Sequence, residues 1–454
     1  MVFGLGPSAV LAAGPADLFW QPEVEARAEG GADVPGQIAG RPQVRRPTSL
    51  AAARQGLLRL GYASQTPLEL TQAGVSLGEW RSTARSAEYI LPLGKPAGTS
   101  RWTLGVQRRS TSDRVSYAAS GHNDRLSLTN EDLSLAVAWE GQAGWIWGAT
   151  LGKEDLEVTS AGAALADWLK LPPTGPGFPR LLQSATRCDL AVSRQLRPWQ
   201  WGLQYSFSRP EATLLVSRGA SDYAAPLAGD ARRYEAYVAR SGGSGVWFAS
   251  GWNYRSRGAG SVLVGLLARG DTELNLQDSS VAWGWRKTRS GRPWQVVLDR
   301  RWSAFDTYDQ GYAGLLPGIS AAVYTLRGSG HVTTTSLRYG GSTPVAGAWS
   351  LCHAVSAHYS RVDVQGHLRR VDSLGSEPVT VAEYGLSGGT LMMLAVSLGP
   401  AYEAARLKVT LLYTGGLAEA SGAFSGPPAP PGVPGPARKV EPRPLLTAGL
   451  EYSF

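Results

Sequence analysis

Along most of the chain, apolar side chains alternate with small or polar ones. From about residue 87 onward Trp102, Leu104 and Val106 share one face, with Thr103, Gly105 and Gln107 on the other. Leu133, Leu135, Val137 and Trp139 repeat the pattern, and Trp145, Trp147, Ala149 and Leu151 follow after a tight turn at 140–144. Trp199, Trp201, Leu203, Tyr205 and Phe207 form an unbroken apolar face opposite Gln200, Gly202, Gln204 and Ser206. Further faces are Val246, Phe248, Ser250, Trp252 and Tyr254; Val281, Trp283 and Trp285; and Trp294, Val296 and Leu298, with Trp302 ending that strand. Another runs from Val345 through Gly347, Trp349, Leu351, His353, Val355 and Ala357 to Tyr359. A period of two marks a strand apolar on one side, because successive side chains of a pleated ribbon point to opposite faces. No segment of comparable length keeps helical spacing. Residues 385–402 are uncharged, but their glycines, serines and proline suit a strand at 390–398 between turns better than a membrane helix. If this chain spans a membrane, it does so as strands.

The second face of each strand separates a soluble sheet from a membrane barrel. A soluble sandwich turns Lys, Glu, Thr and Asp to water. Here the second face is largely Gly, Ala, Ser, Thr and Gln with scattered Arg. Bulky rings (Trp199, Trp294, Trp302, Tyr254, Tyr359) are read at strand ends, where the interfacial girdles of a membrane barrel lie. Connections read as tight at 141–144, 241–245, 288–292 and 327–330. They read as long at 153–186, 210–231, 303–318 and 414–444. Short turns at one end and long loops at the other describe a transmembrane barrel. The loop at 425–437 is proline-rich, and proline offers no donor to a ladder, so this stretch reads as extended and solvated. About twenty period-two segments follow residue 87, the doubtful ones lying near Leu126, Leu156, Leu274 and Leu368. Bacterial barrels close on even numbers. The expectation is an all-β, antiparallel up-and-down transmembrane barrel of about 18 strands, within 16–20.

Composition agrees with that reading. Charged residues are only 18% of the chain, Gly is abundant at 56, and 16 Trp and 17 Tyr stand against 3 Met. Mean hydropathy is slightly negative, at −0.15, as expected for strands greasy on one face only. The net charge of +8 comes mainly from arginine. One short stretch, residues 41–46, gathers basic residues, too few for a nucleic-acid footprint, so no nucleic-acid partner is expected. Cys188 and Cys352 fall on opposite strand parities, which argues for two inert thiols rather than a bridge and excludes a cysteine-based metal site.

The chain ends Leu446-Thr-Ala-Gly-Leu450-Glu-Tyr452-Ser-Phe454, with Leu446, Ala448, Leu450, Tyr452 and Phe454 on one face. This segment resembles the C-terminal strand of bacterial outer-membrane β-barrel proteins. The resemblance implies that it pairs with the first strand to close the barrel and is recognised by the barrel-assembly machinery. It also implies a cell outer-membrane location in a Gram-negative-type envelope, with outer-membrane lipid as solvent. The long plug domain of TonB-dependent receptors and the passenger domain of autotransporters are not seen. At the other end, residues 1–16 resemble a signal peptide with cleavage near Ala13 or Ala16; no basic residue precedes Arg27, so either the start is truncated or this is an ordinary apolar N-terminus. Residues 17–85 read as a periplasmic leader or a small lumenal plug, with a linker at 22–46, a short helix at 50–60 and a strand at 75–80. The barrel is assigned to 86–454.

No motif for catalysis, cofactor or metal stands out. His353 and His358 are five residues apart and so on opposite faces of a strand. A barrel-embedded hydrolase would have to be built on His331 with the hydroxyls of 333–336, or on His122 beside Asn123 and Asp124. With the apolar faces in lipid, Gln107, Arg109, Arg286, Asp299 and Arg301 point inward and are the candidate pore lining. Lumenal arginines raise the local anion concentration, unless they pair with wall carboxylates. The functional expectation is a passive, porin-like channel for small hydrophilic solutes with an anion preference. A non-conducting surface-binding or structural barrel and the hydrolase are the alternatives; a homo-oligomer is left open.

Overall fold

The computed structural model describes residues 41–454 except 66–67, 73–74, 95–99, 120–121, 162–179, 219–220, 244, 265–267, 290–291, 314–321, 372–378, 426–438 and 441–444. In chain order the strands are β1 (Leu57–Gln65), β2 (Leu68–Gln72), β3 (Val75–Leu93), β4 (Arg101–Ala119), β5 (His122–Glu140) and β6 (Trp145–Ala161). They continue as β7 (Arg180–Leu196), β8 (Trp199–Arg218), β9 (Ser221–Gly242), β10 (Gly245–Val264), β11 (Ala268–Arg289) and β12 (Arg292–Ala313). The last are β13 (Ala322–Ala346), β14 (Trp349–Val371), β15 (Val379–Glu403), β16 (Leu407–Ser425), β17 (Lys439–Val440) and β18 (Leu445–Ser453). Each strand from β3 to β16 pairs antiparallel with its sequence neighbour. β1 and β2 lie end to end along β3, and β17 and β18 end to end beside β16. The 18 segments therefore make a closed barrel of 16 strands.

Closure falls where the C-terminal motif places it. β18 pairs with β1 from Leu57 opposite Ser453 to Gln65 opposite Leu445, and β17 meets β2 at Leu70 opposite Val440. A closed sheet has no unpaired edge, which matters most where no water can satisfy one.

Burial alternates as the sequence pattern requires. Leu135, Leu151, Leu203 and Trp283 are exposed on the outer wall, whereas Thr103, Ser134, Thr150, Ser336 and Thr447 are buried on the inner one. At the short-turn end the outer wall carries paired rings: Trp102 with Trp139, Trp145 with Trp147 and Trp201, Trp247 with Trp285, and Trp349 with Tyr402. Above them come Leu, Val and Ala. The outer face then turns charged at Arg108, Glu131, Lys153, Arg209, Arg232, Arg255 and Arg361. On β14 this band runs from Trp349 to Tyr359, about 33 Å along the strand at ~3.3 Å per residue, or roughly 25 Å once a ~40° tilt is included.

Several expectations need correction. The strand count of 16 lies at the lower end of the expected range, because strands run to 25 residues and one strand can hold two period-two segments. Leu126, Leu156, Leu274 and Leu368 all lie in the charged upper parts of β5, β6, β11 and β14. The link expected at 327–330 is inside β13: Gly330 is small because the ring of Phe305 occupies the space where its side chain would be. Most of the loop expected at 210–231 is strand, since β8 runs through Pro210 to Arg218 and β9 begins at Ser221. Pro210 pairs with Ala185 on β7, while the ladder to β9 jumps from Ser208–Ala231 to Glu211–Ala228 around it. A residue lacking an N–H is accommodated at such an interruption. The turns expected on either side of 390–398 are absent, for β15 is continuous there, with a register shift between Ser387 and Thr390. The barrel starts at Leu57 rather than residue 86. The helix expected at 50–60 is a single 3-10 turn, Pro47–Ala52, that leads into β1. Residues 1–16, read as a signal peptide, lie outside the described residues.

β10 presents the opposite face to the one its bulk suggests. Its apolar face, Val246 to Tyr254, was expected to meet lipid. In the structure Phe248 is buried against Ala239 and Val297 on the inner wall, and Trp247 is exposed outside. Tyr254 consequently leaves the outer girdle. Trp302 and Tyr359 face outward but sit within long strands rather than at their ends.

Candidate functional site

The lumen at the short-turn end holds part of the chain itself. Residues 41–53 enter the barrel, fold into the Pro47–Ala52 turn and pack against β4, β5, β6 and β7. Val44 and Leu50 are fully buried there, in a cluster with Ala53, Leu57, Ile90, Ala136 and Ala138. The wall has been made thin to admit them. A Cβ on Gly105 would lie 2.8 Å from Val44, and one on Gly148 would lie 2.7 Å from the Pro47 backbone. Wall glycines thus mark where another backbone approaches closely.

Polar groups fasten this segment around nearly half the wall. The Val44 amide donates to Glu88 on β3 at 2.8 Å, and the Val44 carbonyl accepts from Thr150 on β6 at 3.0 Å. Gln204 on β8 donates to the Arg45 carbonyl at 3.1 Å. Arg45 forms ion pairs with Asp132 on β5 at 2.9 Å and Glu154 on β6 at 3.3 Å; Arg46 reaches Glu235 on β9 at 2.8 Å. Arg101 holds the Ala51 carbonyl and pairs with Glu140 at 2.8 Å. Arg187 on β7 sits behind Arg45, bonded to Glu154 and, at 3.1 Å, to Asp189. Charges in such surroundings are tolerated because each is matched and further hydrogen-bonded. Within the basic stretch 41–46, Arg45 and Arg46 therefore act as an internal clamp on acidic wall positions.

All five expected lining residues follow the inward phase of their strands, but the structure does not bring them together. Gln107, buried, and Arg109 are on β4, with Gln107 opposite Glu88 in the ladder. Arg286 on β11 and Asp299 and Arg301 on β12 lie across the barrel. Arg286 donates to Gln295 at 3.0 Å. Arg301 clasps Asp278 through Nε at 2.9 Å and Nη2 at 2.5 Å, with the Ser303 hydroxyl donating to the same carboxylate at 2.9 Å. Asp299 pairs with Arg338 on β13 at 3.3 Å. Arg233 and Arg301 both stand over the lumenal ring of Trp252, 4.6 and 5.6 Å from its centroid.

Sequence reasoning missed Val44, Leu50 and the carboxylates Glu88, Asp132, Glu154 and Glu235. The available signal was inward-phase acid on strands whose inward positions are mostly Ala, Ser, Thr and Gly. Of the hydroxyl run weighed with His331, Thr333 and Thr335 share its outward phase on β13, whereas Thr334 and Ser336 point inward. Ser336 instead bonds His358 Nδ1 at 2.8 Å, with both side chains buried in the wall. His353 and His358 do lie on opposite faces, His353 against Trp294. Cys188 faces outward and Cys352 inward, with no disulfide between them. Among the described residues no group of His, Cys, Asp and Glu is placed to hold a metal.

No protein-family model and no curated protein matches the chain. Among solved structures it is similar to the toluene transporter TodX of Pseudomonas putida, at 12% identity over 94% of this chain and 96% of that one, with a TM-score of 0.41. It is similar also to CdiB from Acinetobacter baumannii, at 10% identity over 88% of this chain, with a TM-score of 0.38; the match spans 60% of CdiB. A third is the siderophore receptor PirA from Acinetobacter baumannii, at 10% identity over 88% of this chain and 81% of that one, with a TM-score of 0.34.

Proposed function

We propose that the chain is an outer-membrane barrel that passes small hydrophilic solutes passively through its lumen, past a constriction formed by residues 41–53. The supporting observation is the asymmetry of the interior. The inserted segment is fastened to the wall formed by β3 to β9. On the far side β13 to β16 present small hydroxyls, Thr334 with Ser360 and Ser397 with Thr414, that bond within the wall. An apolar belt of about 25 Å outside and a hydrated surface within is what a conducting membrane barrel requires. Pairing of Arg301 with Asp278 and of Asp299 with Arg338 lowers the fixed charge of the lining, so discrimination between ions is weak and the anion preference suggested by arginine content is slight.

The test is single-channel conductance of the full chain in planar bilayers, beside a variant lacking residues 41–53. A small wild-type conductance that rises severalfold in the deletion supports the proposal. If both proteins insert, span the bilayer and pass no current, the barrel is a structural or surface-binding one and the proposal falls.

A further inference from the structure

Above its aromatic rings the outer belt is built largely of Leu, Val and Ala. Across β8 to β12 it is hollowed. Trp199, Val238, Trp247, Ala249, Trp283 and Leu298 line an open groove of about 800 Å³ on the outer wall, at the short-turn end. Its floor is low because Ala249 stands between larger neighbours, and its sides are among the most exposed indoles of the chain, Trp247 at 60% and Trp283 at 69%. The volume is within the range of ligand sites, roughly 300–1,000 Å³.

The rim of the groove is basic. Arg240 is exposed at its lower edge, opposite Trp199 on β8 and Trp247 on β10 in the two ladders, with its guanidinium 5.5 Å from the Trp199 ring. Lys287 is exposed beside Trp294 in the next pair of strands, and Arg194 stands over Trp145 on the other flank. Arg197, also exposed, occupies the β7–β8 turn. No carboxylate faces outward among the described residues between this rim and the charged boundary on β7 to β12. An apolar trough that runs up the belt from a cluster of cations matches one chemistry: an acyl chain above and an anionic phosphate at the interface. A second copy of the chain fits poorly, because a self-complementary interface here would set like charges against each other.

We propose that this groove is a specific binding site for an anionic phospholipid of the leaflet at the short-turn end, with an acyl chain between Trp247 and Trp283 and its phosphate on Arg240 and Lys287. The site rests on the reading of the chain as a membrane barrel, and its test separates the two. The full chain, folded in detergent with equal phosphatidylglycerol and phosphatidylethanolamine, is examined by native mass spectrometry. Wild type is expected to retain phosphatidylglycerol in preference, and Arg240→Gln with Lys287→Gln to lose that preference by about fivefold for each cation removed. Trp247→Ala with Trp283→Ala should lose both lipids, with the barrel still resistant to dodecyl sulfate in the cold. A wild type indifferent to headgroup, a Gln variant with undiminished preference, or a dimer held by this face would overturn the site and leave the membrane reading intact. A wild type that stays monodisperse without detergent and ignores vesicles would sink the membrane reading itself.

Discussion

Gly148 shows how the fate of the lumen is decided by single residues. It belongs to the inward phase of β6, and any Cβ there would press on the backbone of Pro47 rather than on a movable side-chain tip. Gly148→Leu should therefore expel residues 41–53 and leave the ladder of β6 unharmed. Conductance is expected to rise toward that of the deletion, with unchanged resistance to dodecyl sulfate; an unchanged conductance would show that the segment does not limit flow. Asp132 tests the same contact from the electrostatic side. It is nearly inaccessible, and it accepts from both Arg45 and the Ser134 hydroxyl. A buried charge-assisted bond is worth about 1.5–3 kcal/mol, and partial exposure of Arg45 brings the expected loss toward ~1 kcal/mol. Asp132→Asn should open the segment often enough for trypsin to cut after Arg45 in the folded barrel, severalfold faster than in wild type; the Arg46–Pro47 bond itself resists trypsin. Equal cleavage rates would assign the hold to Val44 and Leu50 instead.

Individual strands make the sidedness measurable. Leu135 and Ser134 are neighbours on β5, one exposed at mid-belt and the other buried in the wall. Leu135→Arg is expected to cost ~2–4 kcal/mol in a lipid bilayer, read as a shift of the urea midpoint in vesicles. Ser134→Ala instead loses hydrogen bonds with Asp132 and Arg187 inside the wall, a cost set by those contacts and not by the surrounding lipid. A Leu135→Arg variant as stable in vesicles as wild type would mean that the outer face is not in hydrocarbon. Most strands were legible for this reason: Leu133 to Trp139 and Trp199 to Phe207 announce their outward phase by bulk alone. β10 was misread because Phe248, Trp252 and Tyr254 supply more bulk inside than Trp247 supplies outside, where its neighbours are Ala249 and Gly251. A rule that equates large with lipid-facing fails where the interior is itself packed. Strand length was hidden too, because above the belt the outward phase is charged and the alternation that signals a strand fades.

At the level of the whole barrel, the inserted segment was the least legible feature. Residues 41–53 have no period of their own. Their place depends on Glu88, Asp132, Glu154 and Glu235, which lie between 44 and 189 residues further along the chain from Val44, Arg45 or Arg46 and come together only when the cylinder closes. Closure also sets the lumenal charge. An arginine count taken from the sequence suggests an anion-selective pore, yet the ladder of β11 to β13 sets Arg301 on Asp278 and Arg338 on Asp299, and paired charges present little net field to a passing ion. In a tenfold KCl gradient the wild-type reversal potential is therefore expected close to zero. Arg301→Gln removes one member of the bidentate pair and leaves the Asp278 carboxylate with the Ser303 hydroxyl as its remaining described donor. The potential should then move toward the cation limit, while Asp278→Asn, which removes the carboxylate matched to Arg301, should move it toward the anion limit. Opposite shifts of comparable size would establish that the two side chains face the conducting path as a neutralised pair. No shift in either variant would place both of them away from it and return the lining to the β13 to β16 wall.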